Sequence, residues 1–132
     1  MGNNATAILK GFFASREDII LAFLFGSVAS GKTRDDSDVD IAVYFAEGYT
    51  KKAVNLLWSE LEKLLESQVD LVLLNKDNPT LAWSALRGIP LLIRDRSFYL
   101  EYMLRVSREA EDLQDFIIDL YRRRKALRRE VH

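Results

Sequence analysis

The chain has 132 residues, 48% of them hydrophobic and 30% charged, with a formal net charge of −1. This is a soluble globular balance, and a chain of this size buries roughly two-thirds of its unfolded surface, enough for one self-sufficient core. The absence of cysteine excludes disulfides, thiolate metal sites and a cysteine nucleophile, and a single histidine at the last position, His132, argues against a Ser-His-Asp triad or a histidine metal cluster, which narrows the candidate catalytic groups to carboxylates.

The near-neutral charge gives no overall pull toward nucleic acid. The longest apolar run, Ile19 to Phe25, is too short to span a bilayer. Met1-Gly2-Asn3-Asn4 opens no signal peptide, so the expected location is the cytoplasm. Residues 4–17 read as a short helix and Ile19 to Phe25 as a strand that Gly26-Ser27 closes. After a polar stretch from Ser30 to Ser37, Val39, Ile41, Val43 and Phe45 alternate with Asp38, Asp40 and Tyr44, as a strand does. Residues 50–66 place Ala53, Leu56, Leu57, Leu61, Leu64 and Leu65 at helical spacing, with Tyr49 or Thr50 near the start.

Val69 to Leu74 is the third strand. Asn78-Pro79 opens a short helix to Arg87, Gly88 breaks it, and Pro90 to Ile93 is a fourth, short strand. From Ser97 to about Arg129 a single long helix is expected, with Leu100, Leu104, Ala110, Leu113, Ile117, Leu120 and Leu127 as its apolar stripe. Strands separated by helices imply an α/β (α+β) fold, a small mixed sheet flanked by helices. No repeat or linker interrupts the chain, so one domain is expected over residues 1–132, with a core at about 19–95 and a C-terminal helix at about 97–129.

Three features converge on one chemistry. Gly26-Ser27 follows a strand, where a glycine can bring backbone close to phosphate and a turn can present N–H groups and the Ser27 hydroxyl. Taken alone, it is an ordinary turn. Asp38 and Asp40 stand at positions i and i+2 of a strand, so their carboxylates face one way. Alone, this pair could be a soluble edge, but two like charges side by side also suit Mg²⁺, which takes carboxylate, water and phosphate oxygens. Asp70 sits inside the apolar strand Val69-Asp70-Leu71-Val72-Leu73-Leu74, where a carboxylate is costly unless paired with an arginine or bound to metal. Together, three carboxylates can hold two metal ions, one activating a hydroxyl and one stabilising the leaving oxygen of a transferred nucleotide.

The run Gly26-Ser27-Val28-Ala29-Ser30-Gly31 through Ser37-Asp38-Val39-Asp40-Ile41, with Arg34 in the connecting segment, resembles the pattern of the DNA polymerase β-like nucleotidyltransferase superfamily. Gln68-Val69-Asp70-Leu71-Val72 looks like the strand that bears its third carboxylate. Chain length and the ending from Leu81-Ala82-Trp83 through Gly88-Ile89-Pro90 to Asp95 are most similar to the minimal nucleotidyltransferases (MNT, MntA-like) that pair with HEPN-domain toxins. The resemblance spans residues from about 19 to about 120 and implies a polymerase β-like core. It implies Asp38, Asp40 and Asp70 as catalytic Mg²⁺ ligands for one or two ions, and Gly26 and Ser27 as the triphosphate cradle. Arg34 could reach the same phosphates, though as a lone loop arginine it reads more readily as solvated.

By the same resemblance the substrate is ATP, and the acceptor is a tyrosine hydroxyl of a cognate HEPN ribonuclease toxin, silenced by AMP transfer. Transfer to a small molecule such as an aminoglycoside, and a non-catalytic antitoxin that masks its partner, are the competing readings. About 60 residues follow the third aspartate, too few for a separate acceptor domain, which favours an acceptor supplied in trans.

The cations Arg122, Arg123, Arg124, Lys125, Arg128 and Arg129 complement a helix C-terminus, with contact to an acidic partner face, or to RNA held by the partner, as the functional alternative. Without interleaved stacking aromatics, no direct nucleic-acid binding is expected. Trp58 and Trp83 read as core residues, and Tyr99, Tyr102 and Tyr121 as packing or interface residues on the long helix.

Overall fold

In the computed structural model, which describes residues 2–26, 39–76 and 79–110 together with positions 122 and 125, the apolar runs become the strands of one mixed sheet. The elements follow in the order α1 (Gly2–Ala14), β1 (Ile19–Phe25), β2 (Val39–Phe45), α2 (Lys51–Leu65), β3 (Val69–Leu73), α3 (Pro79–Leu86), β4 (Ile89–Ile93) and α4, described over 96–110. The strand order is β3-β2-β1-β4. The central strand β1 runs antiparallel to both neighbours, and β2 and β3 are parallel.

Parallel neighbours need a crossover, and α2 supplies it. The Thr50 hydroxyl accepts from the Ala53 N–H at 3.1 Å and caps the first turn, while Glu66 ends the helix in the left-handed region at φ 50°. Between these caps Val54, Leu57 and Leu61 are buried against the sheet, in a core shared with Leu9 and Phe13 of α1 and with Val39, Ile41, Val43, Phe45, Val69 and Leu71.

The other face is covered by α3 and α4. Ala82, Ala85, Leu86, Tyr102 and Val106 pack there on Leu21, Phe23, Phe25 and Ala42. At the end of the sheet where β2 and β3 finish, Asn75 extends the ladder with its side chain. It accepts from the Phe45 N–H at 2.8 Å and donates to the Phe45 carbonyl at 2.9 Å. On the β4 side, Arg94 clamps the α1–β1 turn by donating to the carbonyls of Ile19 (3.0 Å) and Arg16 (2.6 Å). Arg16 in turn bonds Asp18 and Glu60, and these carboxylates, Asp18 first, push its pKa further up, so it stays charged at any physiological pH.

Two expectations change. The expected stripe of the long helix included Leu100 and Leu104, yet these are exposed, Leu104 by 54%. The buried face carries Tyr102, Val106 and Ala110, with Phe98, Tyr99 and Met103 beside them. The reason is aromatic packing: Tyr99 stacks on Phe23, Tyr102 meets Tyr44 edge to face, and the Tyr102 hydroxyl donates to the Leu74 carbonyl at 3.1 Å. The rest of the stripe, from Leu113 to Leu127, and Tyr121 lie outside the described residues.

Trp58 is the second change. It is 36% exposed instead of lying in the core, because its indole N–H reaches the Val69 carbonyl at 2.6 Å along the rim of the sheet. Trp83 is partly buried against the α3–α4 core, as expected.

The corrected helix face has a measurable consequence. Tyr102→Ala is expected to lower unfolding free energy by about 3–5 kcal/mol in urea denaturation, and Leu104→Ala by less than about 0.5 kcal/mol. Equal losses at the two positions would contradict the assigned face.

Candidate active site

The strands alternate their side chains, so the residues that follow Val39 and Val69 leave the α1–α2 core and emerge on the face covered by α3 and α4. These residues are Asp40 and Asp70. In the parallel register Val39 stands opposite Val69 and Asp40 opposite Asp70. The two carboxylates therefore project side by side from adjacent strands, which lie about 4.8 Å apart, at the end of the sheet where β1 finishes.

They differ in setting. Asp40 is half-buried and flanked by β1, where Phe25 is its register partner. Asp70 is exposed. The apolar neighbours in sequence suggested a buried carboxylate. Those neighbours instead face both cores, while β3 is the outermost strand and Asp70 is its second residue, open to solvent.

Gly26 closes the site over Asp40. It has φ +78°, and a Cβ built there would fall on Asp40 Oδ2 and lie 2.9 Å from Asp40 Cγ. Glycine is thus needed twice, for the backbone conformation and for the space of the carboxylate. Gly88, at the α3–β4 turn, packs as tightly from the other side. A Cβ there would lie 2.9 Å from Phe25 Cβ and against the Leu24 carbonyl. This contact brings Arg87 to the same end of the sheet. Arg87 lines a cavity of about 330 Å³ with Thr80, Trp83 and Ser84 of α3 and Ala110 of α4. Residues 80, 83, 84 and 87 fall at i, i+3, i+4 and i+7, one helical face, so their spacing in the sequence already marks them as neighbours.

The donor set suits a hard cation. Two carboxylates side by side, one held beneath a glycine that leaves its oxygen uncovered by any side chain of its own, are the oxygen ligands Mg²⁺ takes. Among the described residues no group of three acidic or histidine side chains assembles. Asp38, Ser27 and Arg34 lie outside the described residues, so of the six residues singled out in the sequence the structure brings Gly26, Asp40 and Asp70 together. No described helix is long and apolar enough to cross a membrane.

The model of the polymerase beta nucleotidyltransferase family matches residues 8–97, a span that includes Gly26, Asp40 and Asp70. A candidate protein adenylyltransferase of Methanocaldococcus jannaschii, MJ0435, is 38% identical over 60 residues, 46% of this chain and 64% of that protein, so the match spans just under two thirds of the relative's length. A toxin–antitoxin structure with AMP-PNP superposes with a TM-score of 0.70 at 26% identity, over 89% of this chain and 98% of the other. The structure of a candidate minimal nucleotidyltransferase has a TM-score of 0.55 at 37% identity, over 66% of this chain and 87% of that one.

The double role of Gly26 is open to a mutant cycle. Gly26→Ala is expected to cost about 2–4 kcal/mol of stability, from the left-handed backbone and the overlap with Asp40. In an Asp40→Ala background the overlap is gone and the cost should fall to about 1–2 kcal/mol. Chemical denaturation of the four proteins reads the difference, and strict additivity would sink the steric argument.

Proposed function

The chain belongs to the polymerase β-type nucleotidyltransferase family, and from that premise we propose that it transfers AMP from Mg²⁺-ATP to a hydroxyl of a partner protein, a tyrosine of a HEPN ribonuclease toxin, and so acts as the antitoxin. The observation that carries the transfer chemistry is the in-register pair Asp40 and Asp70 with Gly26 over the first of them. The similarity to a candidate protein adenylyltransferase supports a protein acceptor, and the AMP-PNP toxin–antitoxin structure supports both the nucleotide and the pairing with a toxin.

Asp38, Asp40 and Asp70 would hold the metal. When bound, Mg²⁺ neutralises phosphate charge and lowers the pKa of a bound hydroxyl. The chain's own residues do the rest. Gly26, with no side chain, lets the triphosphate approach the end of β1, where Ser27 would donate to phosphate oxygens. Asp40, half-buried between β1 and β3, would serve the nucleotide side. Asp70, exposed on the outer strand, would be open to an acceptor arriving from solvent.

The acceptor oxygen attacks the α-phosphorus in line, the bond to the β-phosphate oxygen breaks, and pyrophosphate leaves. The hydroxyl proton passes to the Asp70 carboxylate and on to water. Positioning and charge neutralisation supply most of the acceleration that such a transfer needs.

Incubation of the protein with Mg²⁺, ATP and the protein encoded beside it, followed by intact mass spectrometry, tests this reading. The neighbour should gain the mass of one or more AMP units, and Asp40→Asn or Asp70→Asn should slow the gain by on the order of 10²–10³-fold. Neutralisation of the neighbour with no added mass would point to masking, and AMP appearing only on an aminoglycoside would point to a small-molecule acceptor.

A further inference from the structure

We propose that Trp58 and Glu62 of α2 are positioning residues for Asp70, setting the affinity of the site for its metal–nucleotide through the backbone of Val69. The inference rests on the transfer reading above, in which Asp70 is a metal ligand.

β3 is an outer strand, so every second residue turns its N–H and C=O away from β2. The Val39 N–H donates to the Gln68 carbonyl at 3.0 Å, which places the inward groups on residues 68 and 70 and the outward pair on Val69. An outer strand normally leaves such groups to water. Here both are bonded by one helix. The Trp58 indole N–H donates to the Val69 carbonyl at 2.6 Å, and the Val69 N–H donates to Glu62 Oε2 at 3.0 Å.

Trp58 and Glu62 are one helical turn apart, at i and i+4, beside the buried stripe of Val54, Leu57 and Leu61. The Trp58 ring remains 36% exposed, so packing alone does not account for a tryptophan there. The pair grips the residue immediately before Asp70, in the first turnless residues of the strand, where fraying or a slip would be easiest. Mg²⁺ demands near-ideal octahedral geometry, and a ligand displaced by a fraction of an ångström weakens it. Two hydrogen bonds that fix Val69 therefore fix the spacing of Asp70 from Asp40.

Groups that hold a metal ligand from behind typically change affinity by 10–100-fold on mutation. The test is calorimetric titration of Mn²⁺ with a non-hydrolysable ATP analogue into the full chain, with thermal melting of each protein. Trp58→Phe, which keeps a ring and loses the N–H, and Glu62→Ala should each weaken binding by about 10-fold. Glu62→Gln, whose carboxamide oxygen still accepts from Val69, should stay within about 2-fold of the parent.

Parent-like affinity in Trp58→Phe and Glu62→Ala overturns the proposal, whatever their melting temperatures. A Glu62→Gln variant as weak as Glu62→Ala overturns the hydrogen-bond account. A parent that binds no metal–nucleotide overturns this proposal and the transfer reading together. Weakened variants of a parent that adds no AMP to its neighbour support the positioning role and overturn only the transfer reading.

Discussion

The in-register parallel pairing of β2 with β3 is the constraint on which the site depends. Side chains alternate along a strand, so a slip of one residue would carry Asp70 through the sheet into the core under α1 and α2 and bring Val69 out beside Asp40. The crossover through α2 prevents that slip at both ends. Thr50 and Glu66 fix where the helix starts and stops, and Leu57 and Leu61 fix its distance from the sheet. Trp58 and Glu62 then tie it to Val69.

The two faces of the sheet have separate tasks. The face under α1 and α2 is closed by fully buried aliphatic and phenyl side chains. Among the described residues the opposite face is covered by α3 and α4, and the end where β1 finishes carries the carboxylates. The aromatic cluster of Phe98, Tyr99 and Tyr102 on Phe23 and Tyr44 lies on that same face and holds α4 across the sheet. Packing side chains and the candidate metal ligands thus lie on one surface of the sheet.

Much of this was legible in local pattern. The strands, the α2 helix and its Thr50 cap, and the helix opened by Pro79 follow from periodicity and turn chemistry, and Gly26 beside an aspartate-bearing strand is visible as a motif. What escaped depends on strand order. The apolar letters around Asp70 are the same whether β3 is central or outermost, and only the outer place exposes the carboxylate and gives the Trp58 indole a free carbonyl to bond. The α4 segment carries two apolar rows, and nothing local distinguishes Leu100 and Leu104 from the aromatic row that docks. That choice belongs to Phe23 and Tyr44, which are distant in sequence.

The treatment of the sheet's two rims limits how this chain can meet another. On β4, Pro90 lacks an N–H, and the register with β1 shifts so that Leu92 and Pro90 pair while Leu91 is passed over. On β3, both free groups of Val69 are already engaged. Neither rim offers an unbroken row of donors and acceptors to an incoming strand. A second polypeptide that lengthened the sheet would have to pair around Pro90 on one rim and Val69 on the other. On helix surfaces and turns, by contrast, side-chain shape and charge, instead of uniform backbone pairing, discriminate between partners.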